Sequence, residues 1–271
     1  MAPVMRIRVG ATAPIFPKPD ASNTGSRIPV ESLEPWTGGT TLNFSSGEVL
    51  EGIIFPDLGT WYTATGQDIV IRDCFFDTDF GLTLSQTDGG LMEFVDVRGG
   101  MSISSTWDLT LRNLDVRETL DDFFHVTGDV AGGDANGFRQ VKNLLIENCY
   151  GHDATPLAGV AHTDGLQVRG CDGLVIRNTV LDLGVFVPEN NAAIFLEDAN
   201  SGNENIEIDR CWLNGGGYTF RYFNVGGAFA VTDVEFGSNW EFGVFLTNGA
   251  SPPTTQSGNH MAFDGSPVIL T

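Results

Sequence analysis

The chain has 271 residues, with 14 Lys and Arg against 35 Asp and Glu, for a net charge of −21. That balance excludes nucleic acid and anionic membranes as principal partners, because both demand a basic surface. Hydrophobic residues at 41% and charged residues at 18% exclude a disordered acidic chain, and 34 glycines beside only two lysines, Lys18 and Lys142, point to tight turns and an all-β fold.

The opening MAPVMRIRVGATAPIF holds no apolar run of signal-peptide length, and nothing further on approaches the ~18 apolar residues of a membrane span. No secretory route and no membrane insertion are therefore expected. Residues 1 to 36 carry six of the twelve prolines, which forbids regular helix or sheet. Arg6, Arg8, Lys18 and Arg27 stand against Asp20 alone in residues 1 to 30, a net +3 that leaves −24 for the other 241 residues. The expectation is an extended basic N-terminal arm over residues 1–40 and a body over 41–271. The four basic side chains are the candidate binding residues of that arm, attaching it to an acidic partner.

One phrase then recurs: DIVIRDCFF from Asp68, DLTLRNLDV from Asp108, NLLIENCYG from Asn143, GLVIRNTVL from Gly173 and NIEIDRCWL from Asn205. Weaker copies are LMEFVDVRG from Leu91 and FAVTDVEFG from Phe229. Aligning Cys74, Val95, Leu114, Cys149, Thr179, Cys211 and Val234 gives spacings of 21, 19, 35, 30, 32 and 23 residues. Alternation of period two bounded by Gly, Asn or Asp, repeating at such intervals, predicts a β-solenoid whose coils stack ~4.8 Å apart. A single-stranded right-handed parallel β-helix of about nine coils fits best at that spacing. Cys74, Cys149 and Cys211 share one repeat position, so they and Cys171 are expected to be reduced and buried rather than disulfide-bonded.

The three long spacings leave room for loops at 128–140, 151–165 and 184–203, where a solenoid carries its site. Asp121, Asp122, His125, His152, Asp153, His162 and Asp164 form the concentration of titratable groups, and because residues forty apart in a solenoid can be near neighbours they are expected to share one face. Asp122, His125, His162 and Asp164 are the candidate catalytic residues, because glycoside hydrolysis needs an acid and a base across the scissile bond. The cations of these loops, Arg139, Lys142 and Arg169, are few for a lyase acting on a polyanion. No zinc spacing or phosphate-binding loop is present, so no cofactor or metal is expected. Calcium at Glu197, Asp198, Asn200 and Glu204 is the one metal to consider, although their spacing is not that of an EF-hand. Ten of the 28 aromatics lie between Trp212 and Phe245, where the expectation is core and end-capping rather than a sugar platform.

The run from Phe16 to Asp20, Asn23-Thr24-Gly25, TGGTTL from Thr37, HTDGLQVRG (162–170), NNAAIFLED (190–198) and CWLNGGGYTF (211–220) resemble phrases of the pectate-lyase-like right-handed β-helix proteins of actinobacteria and their bacteriophages. That resemblance spans nearly the whole chain and implies the same fold. Members of the group are either glycan-active or virion components of tail or capsid surface. The polygalacturonase-like hydrolases of this fold carry an Asp-Asp pair, a Gly-His-Gly and an Arg-Ile-Lys. Here the first is Asp121-Asp122, the second becomes Gly151-His152-Asp153, and the third is missing. The expected function is therefore a non-catalytic virion surface protein, a capsid decoration or tail-associated component. It would be held as a homotrimer on major capsid or tail proteins by its arm and located on the virion. The alternative is an extracellular or phage-borne polysaccharide hydrolase, or a receptor for a cell-envelope glycan.

Overall fold

A computed structural model describes residues 17–128, 140–159, 162–200 and 202–271. Its strands form three parallel sheets, here A, B and C, of ten, nine and nine strands. Sheet A runs from Glu34–Pro35 to His260–Met261, sheet B from Thr41–Asn43 to Gly243–Leu246, and sheet C from Val49–Glu51 to Thr255–Ser257. In each coil the chain visits A, then B, then C, and every rung between the first and last of a sheet bonds to the coils before and after it. The fold is a parallel β-helix.

The phrase read from the sequence is the C-to-A corner. Successive amides bond back one coil along the positions that were aligned, for example Asp96 N–H to Cys74 O, Asp115 to Val95, Tyr150 to Leu114 and Val180 to Cys149. The corner itself is a single left-handed residue, with φ between +46° and +57° at Asp73, Phe94, Asn113, Asn148, Asn178, Arg210 and Asp233. Asn and Asp tolerate that conformation better than other non-glycine residues, which is why they dominate the position. The amides of Asn113, Asn148 and Asn178 stack into a ladder, Asn178 Nδ2 donating to Asn148 Oδ1 at 2.7 Å. Inside, Ile71, Met92, Leu111, Ile146, Ile176, Ile208 and Val231 occupy one inward register of sheet C. All are essentially fully buried, each contributing roughly 1.5–3 kcal/mol by leaving water.

The outer face of sheet C bears a charge pattern that the hydrophobic reading missed. Glu51, Arg72, Glu93, Arg112, Glu147, Arg177 and Asp209 fall in one register, alternating in sign at every coil. Glu147, nearly buried, accepts from Arg112 at 3.0 Å and Arg177 at 2.6 Å. Opposite charges directly across a rung stabilise it and like charges destabilise it, so the alternation favours this stacking of coils over a displaced one.

The four cysteines are unpaired and buried. Burial pushes the thiols up, Cys74 to about 11 and Cys149 and Cys211 to about 12. Of the late aromatics, Phe220, Tyr222, Phe229 and Phe236 fill the core, whereas Phe242 is exposed and packs against Phe186 and Tyr218.

From Pro17 the N-terminal segment lies against the body. The Pro17 carbonyl accepts from Asn178, Gly25 N–H bonds Asn113 O, Ser26 N–H bonds Asp96, and Arg27 pairs with buried Asp73. The chain descends the Asn corner coil by coil, and its first rung, Glu34–Pro35, falls inside the segment assigned to the arm. No helix of the described residues is long and apolar enough to cross a membrane.

Candidate functional site

Sheet B follows sheet A and precedes sheet C in every coil, and its outward side chains form ladders at the strand spacing. One runs Thr83, Ser102, His125, Gln167, Phe195, Arg221; the next runs Ser85, Ser104, Thr127, Arg169. A groove of about 670 Å³ is lined by Trp61, Ser102, Asp121, Asp122, His125 and Arg169, among others.

The acidic turn of this groove is held from below. Phe123 and Phe124 are fully buried and anchor the start of the strand Phe124–Thr127. The buried hydroxyl of Thr119 accepts the Asp121 amide at 3.2 Å and lies 3.0 Å from the Asp122 carbonyl oxygen. Asp122, also buried, turns Oδ2 to His125 Nδ1 at 2.8 Å, and its Oδ1 accepts the backbone amide of Asp164 at 2.7 Å. His125 thus sits partly exposed in the groove with Nδ1 committed, and Nε2 is the nitrogen that Asp122 does not engage. Asp121 stands exposed at the rim, where partial desolvation and then the Asp122 charge raise it above the ordinary carboxylate range, against His125 and His162.

Asp164 lies behind this turn and is completely buried. Asn191 Nδ2 donates to both of its oxygens, at 3.0 and 3.1 Å. Burial first, and then the charge of Asp122, push Asp164 well above the usual aspartate range, opposed by Asn191, Arg221 and the Ala192 amide. Of the four catalytic candidates, Asp122 and His125 line the groove. His162 is exposed beside it, near enough to act on Asp121, and Asp164 does not reach it. The expected cleft with Asp164 on its surface is corrected accordingly: the strand Thr163–Arg169 begins three residues before Leu166 pairs with Phe124, and the Asp164 amide bonds Asp122 Oδ1, which places that residue beneath the acidic turn. Sequence reasoning nominated neither Asp121 as an acid in its own right nor Asn191 and Arg221. The doubled Asn190-Asn191 at the start of a strand was the available signal, since a bulge consumes one extra residue.

His152 and Asp153 belong elsewhere. They lie on sheet A, where His152 Nε2 meets buried Asp115 at 3.2 Å, Nδ1 meets Asp153 at 2.7 Å, and the ring stacks on Tyr150 with centroids 4.0 Å apart. The expectation that all seven titratable groups share one face is corrected, because 151–152 end the sheet A rung and 163–164 begin the sheet B rung of the same coil.

Arg27 is spent on Asp73 and lies 4.0 Å over the Phe94 ring, and Lys18 lies over Trp212 at 5.2 Å. Both arm cations are thus engaged by the body, while Arg6, Arg8 and Arg139 fall outside the described residues. In the calcium candidate, Glu197 pairs with Arg169 at 2.9 Å, Asp198 accepts from Asn224, and Asn200 donates to the Gly128 and Arg169 carbonyls. Among the described residues no group of three or more His, Cys, Asp or Glu is arranged to hold a metal ion.

No protein-family model matches the chain, and no curated protein does. Among solved structures it resembles an alginate lyase from Paenibacillus sp. at 15% identity and a TM-score of 0.54, over 84% of this chain and 87% of that one. Weaker likenesses include the pectate lyase Pel9A, at 12% identity, a TM-score of 0.31, and 79% and 73% coverage. ORF18 of Geobacillus virus E2 matches at 12% identity and a TM-score of 0.33, over 92% of this chain but 58% of the viral protein. At such identities the likeness is one of fold: the alginate lyase shares the parallel β-helix.

Proposed function

We propose that the groove on sheet B is a glycan-hydrolysing site, in which Asp121 is the acid and His125, oriented by Asp122, is the base. The observation that carries this reading is the Asp122–His125 contact at 2.8 Å, made in the groove that Asp121 also lines. A buried carboxylate that fixes Nδ1 sets the tautomer and leaves Nε2 to take a proton. In the reaction, His125 removes a proton from water as the water oxygen bonds the anomeric carbon. Asp121, kept protonated to higher pH by its surroundings, gives its proton to the departing glycosidic oxygen. The groove's volume of about 670 Å³ is in the range of small-ligand sites, and Trp61 at its margin offers a ring for a sugar face. A charge of −24 over residues 31–271 and carboxylates in the groove favour neutral or amine-bearing glycans over polyuronates.

The test is release of reducing ends from a panel of actinobacterial cell-envelope glycans by the folded protein. Loss of at least ~100-fold in turnover is expected for His125→Ala and for Asp121→Asn; full turnover in both variants would remove the mechanism.

One observation favours a second reading, the non-catalytic virion surface protein: Asp164, one of the four residues expected to catalyse, is completely buried and does not line the groove. On that reading the β-helix is a rigid strut, carried as a homotrimer on capsid or tail proteins. With Lys18 and Arg27 engaged, attachment then falls to Arg6 and Arg8. Silence across the glycan panel, together with co-sedimentation of the protein with particles, is the outcome that selects it.

A further inference from the structure

Behind the groove, polar side chains from four successive coils join into one chain of contacts. Arg221, in the strand Tyr218–Tyr222, has its guanidinium 4.4 Å from the Phe195 ring centroid and 5.8 Å from that of Phe223. Its Nη1 donates to Asn191 Oδ1. Asn191 occupies a break in register: Thr163 pairs with Asn190 and Asp164 with Ala192, so Asn191 is the residue without a partner across the rung. A bulge re-aims the side chain it carries, and Asn191 Nδ2 reaches both oxygens of Asp164. The Asp164 amide donates to Asp122 Oδ1, and Asp122 Oδ2 meets His125.

An amide side chain can be turned either way, and the turned form would aim a carbonyl oxygen at Asp164. Arg221 has donors only, so it accepts one of the two orientations, the one that gives Asp164 its N–H contacts. We propose that Arg221, acting through Asn191, is a positioning residue for the Asp164 carboxyl and, through the Asp164 amide, for the Asp122–His125 pair. The catalytic consequence rests on the hydrolytic reading of the groove; the relay itself rests on the contacts.

The charged groups acting on Asp164 are Asp122 from the preceding coil, which favours the protonated acid, and Arg221 from two coils on, which favours the carboxylate. Removing Arg221 deletes the second influence and frees the Asn191 amide to turn. The experiment follows the carboxyl ¹³C resonance of Asp164 against pH in the substrate-free protein, for wild type, Arg221→Met and Arg221→Lys. Methionine keeps an apolar stem against the two phenylalanines. The expected result is a midpoint raised by about one pH unit in Arg221→Met, a tenfold gain in proton affinity, with a smaller rise in Arg221→Lys. An unchanged or lowered midpoint in Arg221→Met overturns the proposal. If that variant does not fold, Asn191→Ala, which removes the amide donors without adding another and leaves Arg221 in place, carries the same expectation and the same refutation. The titration needs no substrate, so failure to cleave any glycan would dismiss the hydrolytic reading and leave the relay standing.

Discussion

Asp122 and Asp164, 42 residues apart in sequence, meet amide to carboxylate rather than carboxyl to carboxyl: Asp164 N–H donates to Asp122 Oδ1 at 2.7 Å. That bond spans adjacent coils and leaves Asp122 Oδ2 for His125. Asp122→Asn keeps an acceptor for the Asp164 amide but presents an NH₂ to His125 Nδ1. Turnover on a cleaved glycan should therefore fall about 10²–10⁴-fold with the fold retained, read as kcat/KM beside a far-ultraviolet spectrum. Turnover equal to wild type would free His125 of any dependence on Asp122.

On sheet C, Glu147 is the most sheltered member of the alternating ladder and serves two arginines. Glu147→Gln removes its charge from between them and should lower stability by about 1–3 kcal/mol. Arg112→Glu, which sets three acids in a row at Glu93, 112 and Glu147, should cost more than Arg112→Gln. Thermal midpoints of the three variants check the order.

The His152 site on sheet A makes stability depend on pH in a defined window. Burial opposes its charge, but the hydrogen bond and charge of Asp115, with help from Asp153, outweigh burial and raise His152 above 6.5. For Asp115, burial is outweighed by the His152 hydrogen bond and by Arg117, which lower it below 3.8. A raised histidine stabilises fully below its unfolded value and loses that contribution as pH rises through its folded value. A lowered aspartate stabilises above its unfolded value and loses that as pH falls through its folded one. The wild type should therefore exceed His152→Gln most between about pH 4 and 6.5, the difference shrinking on either side. A difference flat from pH 4 to 9 would refute the assignment.

Arg27 distinguishes a strap from a tether. Its partner Asp73 is buried, so Arg27→Ala takes the guanidinium from that carboxylate, leaves it the backbone amide of residue 27, and should destabilise the protein by about 1–3 kcal/mol. If Arg27 serves attachment instead, the variant will melt like wild type and lose only particle binding.

The buried thiols should be inert. Native protein should react with a thiol reagent far more slowly than unfolded protein, which should titrate all four cysteines. Fewer than four on unfolding would indicate a disulfide.

The β-helix was legible because its determinant is local. Each coil needs two inward apolar residues separated by one outward residue, between two positions that take a left-handed corner, and Asp68 with Asp73, Asn143 with Asn148 and Asn205 with Arg210 write that unit out in the chain. Stacking then follows, since no coil buries its face alone. The sign alternation from Arg72 to Asp209 was equally present in the letters, but it spans gaps of 19 to 35 residues and means nothing until the coils are in register. The candidate site was legible only as a set of residue types. Which corner an insertion leaves determines which sheet a side chain reaches, and so His152 went to sheet A while His125 faces sheet B. A one-residue bulge at Asn191, invisible to periodicity, brought Asn191 onto Asp164. The composition and repeat of the chain thus determined the architecture by itself, because backbone pairing and burial act residue by residue along a coil. The burial of Asp164, the exposure of Asp121 and the orientation of His125 were decided by tertiary structure alone, because each depends on side chains that meet only across coils.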